Sequence, residues 1–184
     1  MNNSLENSVK VEEDGWYLAE IPPKKRSYNL CLSAVKNGRR KPWDNRNVLQ
    51  FVPPERRSEE ICLWAVRNNG QALSDVPMEL RTPEVCMAAV EEYGEALSAV
   101  PRAMRSYEMC SHAVAQYGMA IMYVPREKIT KELALSAVHS APQAIEFIPD
   151  ELKDYDLCLR VVERCGNVVV SSVPKRIRER FKRL

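Results

Sequence analysis

From residue 82 the chain runs TPEVCMAAVEEYGEALSAVP, and its apolar positions obey two patterns in turn. Val85, Cys86, Ala89, Val90 and Tyr93 recur three and four residues apart, the stripe of an amphipathic α-helix. Thr82 brings a side-chain oxygen to the open N–H groups of the first turn, and Pro83 suits the first helical position, where its missing N–H does no harm. Glu84 complements the positive end of the helix dipole. Gly94 reads as the left-handed stop that commonly ends a helix. Beyond it, Ala96, Leu97 and Val100 predict a second, shorter helix facing the first, with Pro101 opening the next turn.

The same pattern returns every 24 residues. Cys62, Cys86, Cys110 and Cys158 keep that period, with Ala134 in the remaining slot. So do Pro53, Pro77, Pro101, Pro125 and Pro149, and Gly70, Gly94, Gly118 and Gly166, with Pro142 replacing one glycine. Ser27, Ser58, Thr82, Ser106, Thr130 and Asp154 fill a cap slot. A two-helix unit this short cannot bury its own apolar stripe, so neighbouring units must cover it. The expected fold is all-α, an α-solenoid of about six stacked two-helix repeats with period 24, over residues 11–174.

Both ends depart from the pattern. Pro22 to Pro53 spans 31 residues, and the extra length falls in an insertion loop at 38–47 containing RRKPWDNR. VEEDGWYLAEIP at 11–22 aligns without gaps with VEEYGEALSAVP at 90–101, which predicts a degenerate half-unit preceded by a polar, flexible start at 1–10. Residues 175–184 form a basic cap or tail in which Ile177, Phe181 and Leu184 make an apolar stripe. VVVSSV at 168–173 is the one β-like run, and the repeat assigns it to a final short helix.

Composition narrows the class. At 184 residues, 45% hydrophobic and 28% charged, the chain is that of a folded domain. The polar start has no signal-peptide pattern and no apolar run approaches membrane length, so a cytoplasmic location is expected, or delivery into a host cell without a cleaved signal. Net charge is +2, yet residues 174–184 carry +5 and the rest −3, so basic character is local. The six cysteines include no CxxC pair and there are two histidines, which removes zinc-ligand spacing; disulfides are disfavoured in a reducing cytosol. No phosphate-loop, dinucleotide, zinc-protease or nucleophile-elbow motif occurs, so no cofactor, metal or catalytic residue is assigned and an enzyme is not the expected reading.

Candidate binding residues come from positions that vary. The cysteine slot reads as tight helix packing, since a thiol nucleophile needs a base nearby and His112 sits two residues from Cys110 on another side of the helix. Cys165, outside the slot, is the thiol to watch. Two residues after each cysteine position lies a varied column, Ser33, Trp64, Ala88, His112, Ser136 and Arg160, expected to face solvent and carry specificity. With Arg39, Arg40 and Trp43 of the loop, Trp64, His112 and Arg160 form the expected protein-binding surface. The alternative is a nucleic-acid or other polyanion site built from Arg57, Arg81, Arg105, Lys175, Arg176 and Arg180. Against it stands a structural reading of the arginine slot (Arg26, Arg57, Arg81, Arg105, then Ile129, Lys153 and Arg178), in which each guanidinium satisfies carbonyls at the end of a short helix or pairs with the acidic residue of a nearby first turn.

The motif R-S/T-x-E-x-C-x-x-A-V-x-x-x-G-x-A-L resembles the short α-helical repeats of a family catalogued as a domain of unknown function, seen in protists, giant viruses and some bacterial effectors. Arg57, Ala65-Val66, Asn69-Gly70 and Ala72-Leu73 match best, and the cysteine and proline slots depart from it. The resemblance implies a binding scaffold for another protein, in the manner of an effector, inhibitor or adaptor, and brings no catalytic residues with it.

Overall fold

A computed structural model describes residues 2–38, 46–165 and 171–181. Every regular element among them is helical, and none is a strand. The chain divides into two compact units, Met1–Val100 and Pro101–Leu184, at the junction between two repeats.

The first unit contains α1 (Asn2–Glu13), α2 (Tyr28–Asn37), α3 (Glu59–Asn68) and α4 (Pro83–Glu92). The second contains α5 (Tyr107–Gln116), α6 (Lys131–Ser140), α7 (Tyr155–Cys165) and α8 (Lys175–Phe181). In each unit the cap slot does what its chemistry predicts. The Ser58, Thr82, Ser106 and Thr130 oxygens accept from the N–H three residues on at 3.1–3.3 Å, and Asp154 accepts from Leu157 at 2.9 Å.

Helices α3 to α6 each lead into a 3-10 helix: Gly70–Asp75, Gly94–Ala99, Gly118–Tyr123 and Pro142–Phe147. The reason lies in a three-residue spacing. Gly70, Leu73 and Val76 are all buried, as are Gly118, Ile121 and Val124, and a helix with three residues per turn stacks them on one edge. Proline ends the run by forcing the preceding residue into extended backbone; Val76 has φ −73° and ψ 127°. Another 3-10 turn, such as Met78–Leu80, then connects to the next cap.

Within the first unit α1 packs on α2, α2 on α3 and α3 on α4, while Gly70–Asp75 packs on Gly94–Ala99. In the second, α5 packs on α6, α6 meets α7 along a shorter stretch, and Gly118–Tyr123 packs on Pro142–Phe147. The core of each unit lies between these α and 3-10 layers. Ile61, Cys62, Val85, Cys86, Ala89 and Val90 have no exposed surface in the first, nor do Cys110, Ala113, Val114, Ala134 and Ala137 in the second.

Two expectations are corrected. The glycine slot is not a left-handed stop. The α-helices end in an extended residue, Asn69 at φ −156° and Tyr93 at φ −148°, and the glycine after it opens the 3-10 helix. Glycine is required there by proximity: a Cβ on Gly70 would collide with the Ala89 carbonyl oxygen of α4, and one on Gly118 with the Ala137 carbonyl of α6.

Nor is the start a flexible segment before a half-unit. Asn2–Glu13 is helical, and Asp14, at φ −143° and ψ 106°, takes the same extended conformation as Tyr93 before Gly15–Glu20 begins. The start is therefore an α-helix followed by a 3-10 helix, the same order of elements as α4 and Gly94–Ala99. Its buried apolar anchor is Val11, and Lys10 pairs with Glu6 at 2.7 Å across one turn. Leu5 and Val9 stay 75% and 54% exposed.

The insertion residues 39–45, with Arg39, Arg40 and Trp43, lie outside the described residues, as do residues 168–170 of the β-like run, Leu184 and the Cys165 side chain. The chain past the loop is held by Asn47, whose Nδ2 donates to Asp75 Oδ2 at 2.7 Å.

Candidate functional site

The arginine slot closes the 3-10 layer. Arg81 Nε donates to the Val76 carbonyl at 3.0 Å, Nη1 to Ala99 at 2.6 Å and Nη2 to Ser74 at 3.2 Å. Arg57 repeats this with Val52 at 3.1 Å and Asp75 at 2.7 Å. Arg26 reaches Ile21, Ala19 and Phe51, and Arg105 Nη1 donates to Tyr123. These carbonyls close successive 3-10 helices and have no donor in their own helix. One planar guanidinium satisfies two such ends at once, a geometry that lysine's single ammonium does not offer. The guanidinium groups of Arg57, Arg81 and Arg105, half-buried, thus bond carbonyls of the chain itself.

The cysteine slot sits behind the arginines. Cys86 Sγ donates weakly to the Arg81 carbonyl at 3.7 Å, as Cys31 does to Arg26 at 3.9 Å. Cys31, Cys62, Cys86, Cys110 and Cys158 are buried free thiols. Burial pushes every one of them up, Cys62 and Cys158 to about 11, so at neutral pH they are protonated and unreactive. Among the described residues no cluster of histidine, cysteine and carboxylate side chains could hold a metal ion. None of the described helices is long and apolar enough to cross a membrane.

The varied column is divided between the units. In the first, Trp64 is half-buried on α3, with Lys36 Nζ 5.3 Å from the centre of its ring and the Arg67 guanidinium 5.9 Å away. Both cations also face carboxylates, Lys36 with Glu60 at 3.7 Å and Arg67 with Glu84 at 3.6 Å. The indole is thus a flat apolar surface framed by charge. In the second unit His112 is exposed on α5, Ser136 half-buried on α6 and Arg160 exposed on α7, where Arg160 Nε faces Asp156 at 3.8 Å.

Two cavities stand out among the described residues of the second unit. One, of about 530 Å³, lies between α6 and α7 and is lined by Leu135, Ser136 and Val138 with His139, Arg160, Glu163 and Arg164. Pro142, which stands in the slot that Gly70 and Gly118 fill elsewhere, is buried at the start of its 3-10 helix. At Gly70 and Gly118 the missing Cβ lets the next α-helix approach closely. Arg164 spans the two helices, donating to the Val138 carbonyl at 3.1 Å and to His139. The other cavity, of about 400 Å³, surrounds Ile129, the aliphatic member of the arginine slot. Arg160 and Ser136 were legible in the sequence, but neither cavity was, since each is bounded by residues from elements distant in sequence.

The tail packs on the second unit. Ile177 of α8 is buried, the Phe181 ring lies 5.0 Å from that of Tyr155, and the Arg180 guanidinium sits 4.3 Å over the same tyrosine. Arg176 Nη2 donates to the Asp150 carbonyl at 3.0 Å and to Lys153 at 3.4 Å, while Lys175 is exposed. Two of the three tail cations suggested for polyanion binding are therefore engaged in holding α8.

Comparison with known proteins yields no match, whether to a family model, a curated protein or a solved structure.

Proposed function

We propose that the chain is an α-solenoid of about six repeats, with α1 as its first helix and α8 as its cap, serving as a scaffold that binds another protein. The likeness to short helical repeats of unknown function points the same way. The observation that carries the reading is the groove between α6 and α7. Its floor includes Leu135 and Val138, and its rim has both charge signs, the composition of a surface that buries an apolar anchor inside a polar border. Arg160 and Ser136 bring the varied column to that rim, and in the first unit Trp64 is by itself a candidate anchor.

The test is photo-crosslinking in the native cell with a benzophenone amino acid at position 136, in an otherwise wild-type chain and in R160A. A discrete protein adduct that R160A weakens supports the reading. An adduct pattern unchanged by R160A, or only nucleic-acid adducts whose yield falls steeply with salt, contradicts it in favour of the polyanion alternative.

A further inference from the structure

The Ile129 cavity has an internal precedent for its ligand. The backbone at Ile129, φ −78° and ψ 108°, is nearly that of Arg57, at φ −72° and ψ 110°. The position is thus an arginine site in conformation and lacks only the side chain. Counting as for Arg81, whose acceptors lie five residues back and eighteen ahead, the unoccupied acceptors are the carbonyls of Val124 and Phe147. Both residues line the cavity, and no described donor reaches either oxygen. Met122, seven residues back like the Ser74 acceptor of Arg81, lines it as well.

We propose that this cavity is a binding site for an alkylguanidinium group, the arginine side chain of a partner segment or of a small molecule. Four copies of the same carbonyl arrangement in this chain already hold a guanidinium, at Arg26, Arg57, Arg81 and Arg105. The volume, about 400 Å³, admits the group with its methylene chain. Met122 and Phe147 are 46% and 38% exposed, unusual for side chains of their size here, and supply an apolar wall with an aromatic ring for the cation. The cations nearby are already neutralised, Arg126 by Glu151 at 3.0 Å and Lys153 by Asp150 at 2.9 Å. Glu146 adds a carboxylate to the lining. The site shares no residue with the α6–α7 groove, so it stands or falls independently of the scaffold reading.

The experiment is an NMR titration of the ¹⁵N-labelled full chain with Nα-acetyl-L-arginine N-methylamide, with free L-arginine and with the citrulline analogue of the amide. Saturable shifts at Ile129, Phe147 and Asp150 are expected with an arginine probe, and binding of citrulline, which has the shape without the charge, should be weaker by about ten-fold or more. Preference for the capped amide identifies a partner's arginine as the ligand, and preference for the free amino acid a small molecule. In I129R, where the slot supplies its own guanidinium, the shifts should vanish. Absence of saturable shifts in the wild type, equal binding of citrulline, or unchanged shifts in a folded I129R would overturn the proposal; the citrulline comparison stands even if I129R does not fold.

Discussion

The Arg81 guanidinium and the Ala99 carbonyl, eighteen residues apart in sequence, meet at 2.6 Å, while the same side chain holds Val76 and Ser74. One residue therefore joins the ends of two successive 3-10 helices. Arg81→Ala removes charge-assisted bonds and leaves part-buried carbonyls without a donor, a loss of about 2 kcal/mol or more in urea unfolding. Arg81→Lys keeps the charge but not the fork and should recover less than half of it. A cost below about 0.5 kcal/mol for the alanine variant would mean that water serves those carbonyls equally well.

Substitutions at Gly70 separate two explanations of its slot. If a positive φ were the reason, asparagine would be the best substitute. Because the constraint is contact with the Ala89 carbonyl, Gly70→Ala should lower stability by about 1–3 kcal/mol and Gly70→Asn by at least as much. Thermal melts of the two variants decide it: a stable asparagine variant contradicts the packing explanation.

The buried thiols predict a pH dependence. In the unfolded chain they ionise near their ordinary value of 9.0, whereas in the folded chain Cys62 and Cys158 hold their protons to about 11. Between these values the unfolded state binds fewer protons, so stability falls as pH rises through about 9 to 11 and is unaffected below. Urea midpoints from pH 7 to pH 11 should show that decline, and Cys62→Ala with Cys158→Ala should flatten it. At neutral pH the slot only needs a small apolar residue: Cys86→Ala should cost little, and Cys86→Leu about 1–3 kcal/mol by overpacking.

How much of this could be read in advance depended on how far each constraint reaches along the chain. Helix starts were legible because Thr82 and Val85, three residues apart, make the whole interaction. The 3-10 character was also present, in the spacing of Gly70, Leu73 and Val76, though a short apolar run does not by itself distinguish three residues per turn from 3.6. The reason for glycine was not legible. The residue type is the same whether it serves a turn or a close neighbour, and the neighbour, Ala89, is nineteen positions away. Residues 4–8 hide α1 because they lack the apolar stripe, and packing on α2 supplies what their own propensity does not. The cavities were the least legible. Ile129 was visible as an exception, but an exception becomes a site only when the elements around it are in place.

Repeats that match in sequence should be equivalent in three dimensions, and thermal melting of I129R tests this most directly. Arginine restored at that position should bond the Val124 and Phe147 carbonyls as Arg57 bonds Val52 and Asp75, raising stability by about 1–2 kcal/mol and the melting temperature with it. An unchanged or lowered melting temperature would contradict the equivalence, and with it the claim that the recurring arginines hold the scaffold together.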